Sequence, residues 1–241
     1  MAHMKPLVFV ARTVAAALLA CQAPYAAAQS SCSSNGQPQP AALFERFISA
    51  DCEACWADPA TPAPSAQAAV VLDWIVPSAQ GDDAPLSAAA TNDAALRLQA
   101  LARQAPAGAD VAISAVEPPA RPLRLRVAHG QPINDHLGTG IALARAPGAT
   151  PPTQGWQYHL LLVETIPAGS EGTAVTRNLV RNMLSGTWNK REQLSKKEQI
   201  QWMDNRPMRI PPGAQPERLH MVGWVQDAQG RVLAAAQSVC R

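Results

Sequence analysis

After its first 28 residues the chain has no further long apolar run, so no second segment reads as a membrane-spanning helix. A field of one charge sign is missing as well: 20 Lys and Arg face 18 Asp and Glu, and Lys5 and Arg12 both lie ahead of residue 29. Without them the remainder is neutral, which excludes the basic surface that nucleic acid requires and any acidic tail. Gly138-Thr139-Gly140 has no third glycine and no strand-to-helix setting, so no dinucleotide loop is present, and no nucleophile elbow occurs. His129, His136, His159 and His220 show no pair at ligand spacing and no matching acidic cluster. No metal site and no cofactor are therefore expected, and each histidine reads as a surface or half-buried side chain. The six tryptophans are too dispersed for a carbohydrate stack; Trp74, Trp156 and Trp224 stand in apolar runs and read as core.

What the chain does have begins with an export signal. Lys5 and Arg12 precede the apolar stretch Val14 to Ala20, then come Pro24 and Ala26-Ala27-Ala28. This is the order of charged region, short hydrophobic region and small-residue cleavage site, predicting a signal peptide over 1–28 and a periplasmic or secreted protein. Leu18-Leu19-Ala20-Cys21 offers the alternative of a lipoprotein cut, and only lipidation at Cys21 would bring the chain to a membrane. Either cut leaves Cys32, Cys52, Cys55 and Cys240. Four cysteines in an oxidising compartment allow three disulfide connectivities, of which proximity favours Cys52 with Cys55 and leaves Cys32 for Cys240. The second bond would close nearly the whole mature chain, restraining the unfolded state by about 4 to 5 kcal/mol in the entropy model.

Residues 29–40, rich in Ser, Gln, Asn, Gly and Pro, read as a flexible leader. Leu43 to Ile48 reads as a strand entering the cysteine pair, and Pro59, Pro62 and Pro64 cut short any helix begun there. Ala68 to Val76 is a near-continuous apolar run of buried-strand type, and Thr91-Asn92-Asp93 caps a helix that closes near Pro106. From Arg121 onward strands predominate, at Arg121–Val127, Gly140–Arg145, Trp156–Ile166, Thr173–Leu184, Leu219–Gln226 and Arg231–Val239, with a hairpin turn at Asp227 to Gly230. Asn189 to Gln201 is the charge-dense stretch and reads as a solvated helix or loop. The expected fold class is α+β: a small α/β unit over 41–117, then an antiparallel β-sandwich domain over 118–241, with the boundary at Pro118-Pro119.

The segment Phe47-Ile48-Ser49-Ala50-Asp51-Cys52-Glu53-Ala54-Cys55-Trp56-Ala57-Asp58 resembles the strand and CxxC of a family of secreted, uncharacterised thioredoxin-like proteins, domain of unknown function 1223. Arg177-Asn178-Leu179-Val180, Gly186-Thr187-Trp188 and the Trp224 to Ala236 region are similar to that family's β-rich half. Asp51 stands where the family has glycine, and Trp56 where it has proline. The resemblance implies that 41–117 is a reduced thioredoxin-like unit. It also implies a cis-proline facing the disulfide, for which Pro85 is the candidate.

A pair two residues apart can toggle between dithiol and disulfide, so Cys52 is the candidate nucleophile and Cys55 the resolver of a thiol-disulfide oxidoreductase. The neighbours Asp51, Glu53 and Asp58 are anions that disfavour a thiolate, and the nearest cation in sequence is Arg46. The alternative is a non-catalytic envelope module, braced by both disulfides, whose β-sandwich binds an unidentified protein partner or ligand.

Overall fold

The computed structural model describes residues 32–62, 69–120, 123–145, 155–189 and 201–240. The expected signal peptide, Cys21, and residues 190–200 of the charge-dense stretch lie outside them. Of the described residues 52% are strand and 13% helical, in two sheets of β-sandwich-like arrangement. Among the described residues twelve strands form: β1 (Cys32–Ser33), β2 (Ala42–Ser49), β3 (Ala69–Val76), β4 (Ala109–Ala115), β5 (Leu123–Ile133) and β6 (His136–Arg145), then β7 (Trp156–Ile166), β8 (Arg177–Trp188), β9 (Gln201–Arg209), β10 (Leu219–Gln226), β11 (Val232–Gln237) and β12 (Val239–Cys240). Two α-helices, α1 (Glu53–Ala57) and α2 (Asn92–Ala100), follow β2 and β3.

This corrects the expected fold. No separate thioredoxin-like α/β unit stands ahead of an antiparallel sandwich, because β2, β3 and β4 continue into β8, β7, β10 and β11 as one seven-stranded sheet. The physical reason lies in the apolar runs of β2 and β3. Both strands are buried on both faces along almost their whole length, and the outer edge of β3 is taken by β8 rather than by a helix-covered terminus. The sheet is mixed: β2 runs parallel to β3 and β3 parallel to β8, whereas the remaining pairs are antiparallel. A second sheet of order β12-β1-β5-β6-β9 packs against its flank.

The larger sheet curls until its edges meet. Val116, just past β4, bridges Val232 of β11, and Glu117 N donates to Val232 O at 2.7 Å. One face is therefore an interior, where Leu43, Phe47, Trp74, Val163, Val222 and Trp224 form a single cluster closed by Ala94 and Leu98 of α2. Thr91 caps that helix by accepting from Ala94 N. The other face carries the contact with the second sheet, built on Val127, Ile141, Leu143 and Trp202 against Leu160, Leu162, Met221 and Val225. Gly223 sits at a close approach of the two sheets, since a Cβ there would come within 2.7 Å of Val127 Cγ1.

Three strands escaped expectation. β1 and β4 are short or half-exposed, and β9 carries Pro207 and alternates weakly, so neither periodicity nor composition marks them. Three of the four histidines named above also differ from the surface or half-buried reading. His129, His159 and His220 are 5%, 8% and 8% exposed, buried by the sheet contacts of β5, β7 and β10.

Candidate functional site: the cysteine turn and the ion cluster beneath it

Disulfides join Cys32 to Cys240 and Cys52 to Cys55. The first is a cross-strand bond between β1 and β12, and His129 of β5 stands in register with Cys32 on the other side. A ligand atom of His129 and both sulfurs fall within 4.8 Å of one another, with the two sulfurs committed to their mutual bond.

The second disulfide closes the turn between β2 and α1, at the end of the sheet face opposite the interior. Cys55 N donates to Cys52 Sγ at 3.2 Å and to Cys52 O at 3.0 Å, so the first sulfur acts as the cap of the helix. Both cysteines are half-buried. They pack against the cluster of Ile48, Ala50, Trp56 and Ile75, as Leu86, Ala89, Ala90 and Ala109 also do, and Cys55 Sγ would lie 3.4 Å from a Cβ placed on Gly108. Asp51 and Glu53 beside them are exposed, and Asp51 accepts from Ser78 Oγ at 2.6 Å.

Pro85 is not a cis-proline, because no peptide bond among the described residues is cis. Its neighbourhood still reaches the cysteine turn: Leu86 N donates to Ala50 O at 3.0 Å, and a short 3-10 turn at Ser87–Ala89 takes the place of the strand that a cis-proline would precede. Run lengths and β-propensity explain the difference, since Ser87 to Ala90 contains no β-branched or aromatic residue.

Sequence reasoning missed the residue that fastens the turn. Arg177, fully buried at the start of β8, donates through Nη2 to Trp56 O at 2.8 Å and Asp58 O at 2.9 Å, with Cys55 O at 3.4 Å. Its guanidinium also lies 5.5 Å from the Trp56 ring centroid, and Nε donates to Thr173 Oγ1 at 3.2 Å. These bonds satisfy the carbonyls left open at the end of so short a helix. Trp56 itself is buried and donates through Nε1 to Glu171 O at 2.7 Å. No local signal could have linked Arg177 to Cys55, which lies 122 residues away.

Below this, Arg46 Nε donates to Asp73 Oδ1 at 2.5 Å, and Arg46 Nη1 donates to Thr61 O and Pro62 O. Asp73 Oδ2 accepts from Asn178 N at 2.8 Å, and Arg177 Nη1 is 3.8 Å from Asp73 Oδ1. Two guanidiniums share one carboxylate out of water. Burial pulls Arg177 below the ordinary guanidinium value, with Arg46 adding to the shift and Asp73 and Asp58 opposing it.

A second polar group occupies the sheet interior. Glu45 accepts two bonds from Arg97, at 2.8 and 2.5 Å, and Arg97 lies 4.8 Å from the Trp224 ring, which stacks on His159 at 4.7 Å. Neither ring nitrogen of His159 has a hydrogen-bond partner among the described residues, and burial, helped by the Arg97 charge, pushes its pKa down to about 3. Burial likewise pushes His220 down to about 4, with a hydrogen bond from its ring to the Arg218 backbone opposing the shift and the His129 charge adding to it.

On the outer surface of the smaller sheet a cavity of about 440 Å³ lies over Gly130, Gly138 and Gly140, walled by Arg126, Asn205 and Arg206. Among the described residues no helix is long and apolar enough to cross a membrane.

No family model matches this chain, and no curated protein matches it. Among solved structures it is similar to HBP35 of Porphyromonas gingivalis, at 8% identity and a TM-score of 0.47, over 83% of this chain and 74% of that one.

Proposed function

We propose that the protein is exported, with residues 1–28 as its signal peptide, and that it exchanges disulfides through Cys52 and Cys55 in the periplasm or outside the cell. Two disulfides suit an oxidising compartment, and the segment from Phe47 to Asp58 keeps its resemblance to the secreted family named above. The observation that carries the exchange reading is that contacts other than this half-exposed disulfide also hold its turn. Trp56 and the three Arg177 bonds fasten α1 independently, and a ring of four residues restrains the unfolded chain by only about 2 kcal/mol in the entropy model, against about 5 kcal/mol for the bond between Cys32 and Cys240.

The chemistry balances as a two-electron transfer. A partner thiolate attacks Cys52 Sγ, the bond to Cys55 breaks, and Cys55 leaves as a thiolate that takes up a proton. The partner's second thiolate then attacks its own sulfur in the mixed disulfide and releases Cys52, so that the partner's dithiol is oxidised and the pair is reduced. In the reverse direction Cys52 is the attacking thiolate, helped by the hydrogen bond from Cys55 N.

Alkylation of free thiols after equilibration with glutathione buffers, with each cysteine located by mass spectrometry, tests the reading. Cys52 and Cys55 are expected to open within the range of cellular couples, roughly −120 to −270 mV, while Cys32 and Cys240 stay joined. A pair that stays closed below about −300 mV would defeat the proposal. The second reading, a braced binding module without exchange, is favoured by the exposed Asp51 and Glu53 and by an Arg177 committed to carbonyls. Full rescue of a deletion strain by a Cys52→Ser, Cys55→Ser double variant would select it.

A further inference from the structure

Strand β4 borders the larger sheet, and for most of its length no described strand pairs with the side away from β2. Val116 N donates to Ala41 O and Ser49 N to Gly108 O, which sets the alternation: even-numbered residues of β4 turn their peptide groups toward β2 and odd-numbered ones turn theirs outward. Glu117, the next odd residue past the strand, follows this rule by bonding to Val232. The outward Val111 N is occupied by the carboxylate of Asp110, at 2.8 Å. No described residue pairs with the outward groups of Ala109 and Ile113 or with Val111 O. The Ile113 side chain is 64% exposed.

This edge leads to the sulfurs. Ala109 packs in the same cluster as Cys52 and Cys55, and Gly108 lies directly against Cys55 Sγ. Ile113 is four residues further on, about 13 Å along the strand. The surroundings are acidic: Asp51 and Glu53 are exposed at the turn, and Asp82 and Asp83 are exposed just before Ala84, which packs beneath it. Arg103, the cation at this edge, is held by Asp110 through bonds of 2.9 and 2.7 Å.

Resting on the exchange reading, we propose that the partner is an extended polypeptide segment that adds as a strand to the bare edge of β4 and carries Lys or Arg beside its cysteine. The edge supplies peptide donors and acceptors that only another backbone in extended form can satisfy in series, and the strand's direction carries such a segment to the disulfide. The acidic rim supplies the charge preference. A basic side chain on the partner would also bring a cation beside the sulfurs themselves, favouring the thiolates that exchange requires.

Stopped-flow rates for the oxidised mature protein with ten-residue single-cysteine peptides, one flanked by lysines and one by glutamates, and with glutathione test this. The lysine peptide is expected to react about tenfold faster than the glutamate peptide at low salt, with the gap closing in 0.5 M NaCl. Ile113→Pro removes the outward N–H at a position where the ladder to β2 does not use it, and Ile113→Lys places a like charge on the edge. Both are expected to lower the ratio of lysine-peptide to glutathione rate by about tenfold. Equal rates for the two peptides, or an unchanged ratio in both variants, would overturn the docking proposal while leaving exchange intact. Failure of dithiothreitol as well as peptide to open Cys52–Cys55 would instead remove the exchange reading and this proposal with it.

Discussion

Asp73→Asn is the substitution that most directly probes what holds the two parts of the large sheet together. The side chain is fully buried, accepts from Arg46 Nε at 2.5 Å and from Asn178 N at 2.8 Å, and among the described residues is the one carboxylate within ion-pair distance of both Arg46 and Arg177. Asparagine keeps the shape and removes the charge, leaving two buried guanidiniums without a counter-ion. Its amide group would also turn a donor toward Arg46 or Asn178, both of which already donate. Breaking a buried pair by removing one partner costs about 3 to 5 kcal/mol. With a urea m-value of roughly 2 kcal/mol/M, the midpoint should fall by about 1.5 to 2.5 M at unchanged m. Tryptophan fluorescence during equilibrium unfolding, with both disulfides intact, reads that shift. The double variant Asp73→Asn with Arg177→Met removes one stranded cation and should recover about 1 to 3 kcal/mol as a coupling energy. A loss below about 1 kcal/mol in the single variant, or strict additivity in the double one, would refute the reasoning.

Two further expectations follow from other parts of the core. The depressed pKa values of His159 and His220 mean that the unfolded chain binds protons the native state refuses, so their stabilising effect is complete above about pH 6.5 and is lost as pH falls toward 4 and 3. Between pH 7 and pH 5 each should cost on the order of 2 kcal/mol, and His159→Phe, which keeps the stack on Trp224, should remove its share of the slope; an unchanged slope of unfolding free energy against pH would contradict this. Gly223→Ala puts a methyl 2.7 Å from Val127 Cγ1, 3.0 Å from Ile141 Cδ1 and 3.1 Å from His159 O, so it should cost about 1 to 3 kcal/mol in thermal unfolding, and a neutral result would mean that the two sheets are less closely packed than described.

The parts of this fold that were legible in the sequence are those with strong local pattern. The apolar run behind β3, the capping Thr91 of α2 and the Asp227 to Gly230 turn, where Gly230 takes a φ of 80°, all carry their own physical signature. Architecture was not legible, because strand pairing between β3 and β8 joins residues more than one hundred positions apart, and the apolar alternation of each strand is equally compatible with two separate units. Of the candidate site, the cysteine pair was visible and its acidic flanks were visible. Arg177, Trp56's bond to Glu171 and the bare edge of β4 were not, since each exists only through long-range contacts.

The ion cluster and the cysteine turn are best understood as one device set at the weakest seam of the sheet. Strands β3 and β8 share a single registered pair, Asp73 with Leu179, whereas every long neighbour pair in that sheet has five or more. A junction with so few backbone bonds needs side chains to define its alignment, and hydrophobic contact alone would tolerate a slip. Asp73 accepts the backbone N–H of Asn178, and Arg177, the next residue back, grips the carbonyls of Trp56 and Asp58. A slip of one residue would strand the Asp73 carboxylate and pull Arg177 off the end of α1. Register at the seam and position of the disulfide are therefore set by the same buried charges, even though those charges add little net stability over an apolar replacement. Loosening the seam should accordingly loosen the cysteine turn first. In Asp73→Asn, amide exchange at Cys55 and Trp56, whose N–H groups both bond to Cys52 O, should accelerate more than exchange at Trp224 in the distant sheet interior.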